Sequence, residues 1–164
     1  MSDTNPIKDF RARHNLSQQA FASLAGVTVQ VIVRCEIGTY TEIPPSVVRA
    51  IDAIDKQVTG EAVALMYERW LLEELKEVKL PYRPTLDQLH TIEGFEQFRK
   101  DLTEANDVSD SNYSMSKLLK VHIYPIDRYL SGRKNTPPVQ IMERISEIQM
   151  LQGTGESVGT GRPS

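Results

Sequence analysis

Few side chains in this sequence have the types and spacing that catalysis or metal binding requires. The three histidines, His14, His90 and His122, are far apart, and the single cysteine, Cys35, has no second cysteine to pair with. Metal sites place such residues a few positions apart, as in His-x-x-x-His or Cys-x-x-Cys. The sequence also has no glycine-rich phosphate loop after a strand and no serine in a nucleophile elbow. We therefore expect no enzyme and no bound cofactor or metal.

The segment LSQQAFASLAGVTVQVIVRCEIG, residues 16–38, predicts two short helices joined by a tight turn. Ser17 caps the first helix, Gly26 turns the chain, and Thr28 caps the second, because hydroxyls satisfy free N–H groups at helix starts and glycine accepts the left-handed conformation. Helices joined so tightly cross steeply, which pushes the second one outward. Apolar residues follow helical spacing on one face of the pair: Leu16, Ala20, Phe21, Leu24, Val27, Ile32 and Cys35.

This segment resembles the DNA-binding helix-turn-helix of lambda-type phage repressors and of the xenobiotic-response-element family of regulators. Pro6–Asn15 fits as the preceding helix and Ser46–Asp55 as the closing one, so the resemblance covers about the first 57 residues. It implies a helical domain that binds double-stranded DNA. The matching positions are Leu16, Ser17, Gln18, Ala22, Gly26, Val27, Ile32, Arg34, Glu36 and Gly38.

The pattern occurs a second time, 94 residues further along. The segment SNYSMSKLLKVHIYPIDRYLSG, residues 111–132, aligns with residues 17–38, although Lys120 stands at the turn glycine and Leu130 at Glu36. Upstream, Phe95-x-x-Phe98-Arg99 aligns with Ile7-x-x-Phe10-Arg11 at a shift of 88, so six extra residues lie within 103–110. Duplicated segments indicate duplicated structural units. The predicted fold is all-α, with two lambda repressor-like helix-turn-helix domains joined by a long helix.

Four segments follow from this pattern: a DNA-binding domain at 1–57, a connector at 58–92, a second helix-turn-helix-like domain at 93–151 and a disordered tail at 152–164. The connector is predicted as a helix from Thr59 to Lys79, an extended elbow at Pro81 and Pro84, and a short helix at 86–90. The tail has four glycines and no aromatic residue.

The connector helix carries a broad apolar stripe. Such a stripe packs onto one or both domains as core, or it forms a homodimer interface, since a wide apolar face on a small protein often needs a partner. The stripe consists of Val63, Leu65, Met66, Trp70, Leu71, Leu72, Leu75 and Val78.

Charge and compartment agree with a DNA-binding protein. The formal net charge is −3, but residues 111–134 carry five basic side chains and one acidic one, which is a locally positive surface. No signal peptide and no run of 18 apolar residues occurs, which predicts a cytoplasmic protein. Cys35 falls where the pattern requires a buried aliphatic residue, and a redox-sensor role, the alternative, would require an exposed thiolate.

The resemblance implies which side chains face the base edges. In the first copy these are Val29, Gln30, Val33 and Arg34, and in the second Ile123, Tyr124, Asp127 and Arg128. Gln pairs with adenine and Arg with guanine, while Val packs on a thymine methyl group. For the two arginines the alternative is an internal salt bridge, Arg34 with Glu36 and Arg128 with Asp127.

Phosphate contacts are predicted around the same helices. Gln18 and Asn112 begin a helix, where N–H groups bind phosphate. His122 contacts phosphate or is simply an exposed helix-start residue. The remaining predicted phosphate contacts are Arg11, Arg13, Thr28, Thr39, Tyr40, Arg133, Lys134 and Asn135.

The sequence thus predicts a transcriptional repressor that occludes a promoter, and the resemblance implies a phage or other mobile element as its source. A monomer with two unlike recognition helices would read an asymmetric, bipartite site. In the alternative, an antitoxin-like adaptor, the second module and the connector helix bind a protein partner or dimerise.

Overall fold

The chain folds into helices joined by short loops. The computed structural model describes residues 4–156, with side chains through Gly153, and this part contains ten helices and no strand. The predicted all-α fold class is confirmed. In chain order the helices are α1 (Pro6–Arg13), α2 (Gln18–Ala25), α3 (Val29–Ile37), α4 (Pro45–Ile54), α5 (Gly60–Lys76), α6 (Leu86–Leu89), α7 (Ile92–Ala105), α8 (Asn112–Leu119), α9 (Ile123–Leu130) and α10 (Val139–Glu156).

Two compact units divide the chain, one up to Glu74 and the other from Leu75 onward. The first contains α1 to α4 and most of α5, and the second contains the end of α5 and α6 to α10. The boundary between the units lies within α5. The connector at 58–92 stays a prediction. A division into functional domains at residues 57 and 93 stays a prediction.

The core of the first unit lies between α1, α2, α3 and α4. The rings of Phe10 and Phe21 are 5.9 Å apart between centroids. Helix α1 ends at Arg13 and not at Asn15 as predicted, because Asn15 has a left-handed backbone with φ of 54°. Helix α4 begins and ends one residue earlier than predicted. The fully buried side chains are Ile7, Phe10, Phe21, Ile32, Cys35, Val47 and Ile51.

Helix α5 packs against the loop that follows α3. The hydroxyl of Tyr67 donates a hydrogen bond of 2.7 Å to the carbonyl of Tyr40. The indole of Trp70 lies against Gly38, where an added Cβ would come within 3.1 Å of the ring. Gly38 also has a φ of 98°, which side chains rarely adopt. The loop after α3 is therefore held in place by α5.

The apolar stripe of α5 is only partly buried. Val63, Trp70, Leu71 and Leu75 on α5 and Val78 just after it are core residues, as the first alternative predicted. Helix α5 ends at Lys76 and not at Lys79 as predicted. The core assignment is wrong for three residues, because the protein covers about half of each: Leu65, Met66 and Leu72 are 59%, 52% and 48% exposed.

In the second unit, α7, α8 and α9 are the helices that align in sequence with α1, α2 and α3. Helix α7 has 14 residues where α1 has eight. Relative to the alignment at a shift of 88, four of the six extra residues extend α7 and two lie in the loop after it. The short helix α6 is present as predicted, and the hydroxyl of Tyr129 donates to its last residue, at the carbonyl of Leu89, over 2.6 Å.

Helix α10 is longer than the sequence indicated. It continues to Glu156, so residues 152–156 are helical and the predicted tail does not begin at 152. The rest of that tail, 157–164, lies outside the described residues. Within 4–156 no single helix has the length and apolar composition needed to cross a membrane. Helices α2 and α3 reach that length and composition only when they are counted together, and the chain bends by 113° between them.

Candidate nucleic-acid interface

Helices α2 and α3 form a steep pair around a glycine turn. The Ser17 hydroxyl accepts a hydrogen bond of 3.0 Å from the Ala20 N–H, and Gly26 has a left-handed φ of 71°, as predicted. Thr28 is the N-cap residue of α3 as predicted, but its hydroxyl makes no capping bond, so that part of the prediction is wrong. The 113° bend between the helices lies in the range of helix-turn-helix pairs.

One face of α3 is buried and the other carries the predicted base-reading residues. Ile32 and Cys35 are fully buried, while Gln30 and Arg34 are exposed. Val29 and Val33 are half-buried between the two faces. Arg34 makes no side-chain hydrogen bond or ion pair with any residue in the described part of the chain, so the alternative pairing with Glu36 does not occur.

Glu36 instead pairs with Arg11 on α1. The Arg11 Nε donates to Glu36 Oε2 over 2.7 Å, and its Nη2 donates to Oε1 over 3.2 Å. The Gln18 amide donates to the same Oε1 over 3.0 Å. The side chains of Arg11 and Glu36 are 19% and 8% exposed, and the hydrogen bond to Glu36 raises the pKa of Arg11. This triad, which we call the Arg11 network, joins α1, α2 and α3.

The Arg11 network makes Arg11 a weaker candidate for phosphate contact than the sequence suggested. The third guanidinium nitrogen of Arg11, Nη1, donates to the carbonyl of Leu16 over 3.0 Å. All three nitrogens are therefore bonded within the protein and stabilise the fold. Arg13 is exposed, with its guanidinium carbon 5.7 Å from the Phe10 ring centroid. Thr28 is exposed, whereas Thr39 and Tyr40 are half-buried in the loop held by α5.

Cys35 is a core residue. It is fully buried, and burial first and the Glu36 charge second raise the pKa of its thiol from 9.0 to about 12. The thiol therefore stays protonated at neutral pH, which contradicts the redox-sensor alternative.

Helices α8 and α9 form the corresponding pair in the second unit. The Ser111 hydroxyl caps α8 by accepting from the Ser114 N–H over 3.0 Å, and Lys120 takes the left-handed turn conformation with φ of 58°. His122 begins α9, and its Nδ1 accepts from the Tyr124 N–H over 3.2 Å. Through this bond His122 caps α9, which is the helix-start role, although its side chain is half-buried and not exposed.

A polar network also joins the helices of the second unit. Arg99 donates from Nη1 to Asn112 over 2.6 Å and from Nε to Asp110 over 2.8 Å. The Asn112 amide donates to Asp127 over 2.8 Å. We call this set the Arg99 network. Its arginine and amide align with Arg11 and Gln18, but Asp127 aligns with Val33 and therefore lies one helical turn before the position of Glu36.

The exposed face of α9 carries the other predicted contacts. The guanidinium carbon of Arg128 lies 5.4 Å from the Tyr124 ring centroid, and Nη1 donates to the Tyr124 hydroxyl over 3.2 Å. Arg128 thus stacks on Tyr124 and does not form the alternative pair with Asp127. Ile123 is half-buried at the start of α9. The loop that follows exposes Arg133, Lys134 and Asn135.

The sequence analysis predicted neither of the two polar networks. The alignment of Phe10-Arg11 with Phe98-Arg99 was the available signal, but it did not reveal the partners, which are 25 and 11 residues away. Sequence reasoning also missed Asn5, whose Nδ2 donates to the Cys35 carbonyl at the end of α3 over 2.9 Å. In residues 4–156 no three His, Cys, Asp or Glu side chains form a group that could hold a metal.

Comparison with known families agrees with this geometry. Residues 7–54 match a family described as helix-turn-helix. No curated protein and no solved structure matches the chain. The matched region spans α1 to α4, so this part of the chain is a DNA-binding helix-turn-helix domain of the type found in transcription regulators of the xenobiotic-response-element group.

Proposed function

We propose that this chain, whose first four helices form a helix-turn-helix domain, is a cytoplasmic, sequence-specific transcriptional repressor. It binds double-stranded DNA at a bipartite site, which α3 and α9 read together, and it blocks a promoter by occupying it. The resemblance to lambda-type repressors supports a phage or other mobile element as its setting.

The observation that carries the proposal is the likeness between α1–α3 and α7–α9. Each set has a short helix, a left-handed residue and a second short helix in the same order, with Gly26 in one and Lys120 in the other. Each also joins an arginine of the opening helix, an amide at the start of the next, and a carboxylate on the third. The presence of such a network in both units supports a common origin of the two units and a common role in DNA binding.

Footprinting tests the proposal that both α3 and α9 contact DNA. A binding site is first selected from random duplex DNA, and the full-length protein is then footprinted on that site. Two protected blocks about 34 Å apart, roughly one turn of DNA, are expected because successive major grooves have that spacing. A single block of one half-site would contradict a role for α9.

Repression by occlusion has its own test. In vitro transcription from a promoter that overlaps the selected site should fall as protein is added. The same site moved about ten turns upstream serves as the control and should leave transcription unchanged. Activation from either position would contradict repression.

A second candidate function is an adaptor that binds a partner protein or dimerises. The exposed Leu65, Met66 and Leu72 on α5 favour it, because large apolar side chains grouped on one helix often mark an interface. Internal bonds of Asn112 and Asp127 also favour it, because they leave fewer polar groups on α8 and α9 for DNA.

The mass of the purified protein without DNA separates dimerisation from the first proposal. A dimer that becomes a monomer on Leu65→Glu and Leu72→Glu substitution would support the second candidate. A monomer that binds DNA unchanged after these substitutions supports the first.

A further inference from the structure

Tyr124 and Arg128 form a pair on one face of α9. They are four residues apart, which brings side chains of a helix together. The guanidinium carbon lies 5.4 Å from the ring centroid, within the range of a cation–π contact, and Nη1 also donates to the hydroxyl over 3.2 Å. Tyr124 is 53% exposed, so the pair lies at the surface.

One of the five N–H donors of Arg128 is committed in this pair, and a second is buried. One Nη1 hydrogen goes to the Tyr124 hydroxyl, and Nε is buried with no acceptor in the described part of the chain. Guanine recognition requires two parallel N–H donors for O6 and N7. The second N–H of Nη1 and the N–H groups of Nη2 are not used in the pair with Tyr124, so they can supply these two donors.

The first unit has no such support. Gln30 occupies the position of Tyr124 in the alignment at a shift of 94, and Arg34 occupies that of Arg128. Arg34 is exposed, and no aromatic ring within residues 4–156 stacks on it. The two matched arginines therefore differ in how firmly the protein orients them.

We infer that Tyr124 is a positioning residue for Arg128: its ring and hydroxyl hold the guanidinium ready for one guanine, and Tyr124 reads no base itself. This inference rests on the proposed reading of DNA by α9, and it replaces the direct base contact that the sequence predicted for Tyr124. Orienting the guanidinium before binding reduces the side-chain entropy lost on complex formation.

The test compares base preferences of full-length variants selected on random duplex DNA. Arg128→Ala should remove the preference at one base pair, by about 5–150-fold. Tyr124→Ala should weaken the preference at the same base pair by about 2–5-fold, the value of an exposed cation–π contact. Tyr124→Phe, which keeps the ring, should retain most of it.

A matched control is available on α8. Tyr113 stacks with Lys117 at 5.5 Å in the same four-residue arrangement, and it is similarly exposed. Tyr113→Ala should change the preference at no base pair. Thermal melts of all variants should coincide, since the substituted side chains lie at the surface.

Each outcome decides the inference. If Tyr124→Ala leaves the preference intact while Arg128→Ala removes it, Tyr124 does not position Arg128, although α9 still reads DNA. If the two substitutions affect different base pairs, Tyr124 reads a base directly and the inference is wrong. If Arg128→Ala changes no base pair, the reading of DNA by α9 fails and the inference fails with it.

Discussion

Arg34 is the side chain of α3 best placed for hydrogen bonds outside the protein. It is exposed, it lies opposite the buried Ile32 and Cys35, and Glu36 is bound to Arg11. An arginine whose donors are unused in the free protein loses no internal bond when it binds a base. At the residue scale, we therefore propose Arg34 as the main source of sequence specificity in the first unit.

Arg34→Ala should weaken binding to the selected site by about 1–3 kcal/mol and relax the preference at one base pair. Arg13→Ala is the control, since a phosphate contact carries no sequence information and should weaken binding on all sequences alike. Binding curves on the selected duplex and on single-base variants measure both. A uniform loss for Arg34→Ala would make it a phosphate contact.

Glu36→Gln should lower the free energy of unfolding by about 2–4 kcal/mol, because Arg11 would be left largely buried without an opposite charge. Glu42→Gln changes an exposed carboxylate of the same unit and should stay within about 0.5 kcal/mol. Urea unfolding of the full-length protein compares the two. Equal, small effects would show that the Arg11 network does not stabilise the unit.

Helix α5 is the element that completes the first unit. Tyr67 and Trp70 hold the loop after α3, and Gly38 permits the close approach of the indole. A domain limit at residue 57 would leave out these contacts. At the element scale, the position of α3 therefore depends on a helix outside the matched region.

Gly38→Ala should be more destabilising than Gly26→Ala. Both residues have positive φ, which costs alanine about 1–2 kcal/mol. Only at Gly38 does the added Cβ meet a neighbour, the Trp70 ring at 3.1 Å, and overpacking adds about 1–3 kcal/mol. Thermal or urea unfolding gives the difference. Equal destabilisation by the two substitutions would mean that the Trp70 ring moves aside at no cost in stability.

Local signals explain why some elements were predictable and others were not. Ser17 and Gly26 act through bonds and backbone conformation within their own turn, so sequence alone indicated their roles. The partner of Glu36 is 25 residues away and depends on how three helices pack. The exposure of Leu65 likewise depends on which face of α5 meets the core, and periodicity could not separate it from the buried Val63.

On the scale of the whole molecule, positive charge is concentrated from α8 to the loop after α9. Arg133 and Lys134 are exposed in a region with five basic residues and one acidic one, 111–134. The chain as a whole carries −3, so binding to DNA depends on this distribution. Neutralised phosphates release counterions, which makes affinity sensitive to salt.

The double substitution Arg133→Gln and Lys134→Gln should reduce the slope of log affinity against log salt by about 1.8, since each phosphate contact contributes about 0.9. Arg69→Gln and Lys76→Gln on α5 remove the same charge outside the predicted interface and should leave the slope nearly unchanged. Titrations at several salt concentrations provide the slopes. Equal changes for the two pairs would indicate a nonspecific effect of net charge.

The mass of the full-length protein bound to its selected duplex, taken together with the symmetry of that duplex, tests the central claim most directly. The recognition helices carry Val29, Gln30 and Arg34 in one unit and Ile123, Tyr124 and Arg128 in the other. Unlike helices require unlike half-sites, whereas identical helices related by a twofold axis require a palindrome. One chain on an asymmetric site is the predicted result. Two chains on a perfect palindrome would contradict it.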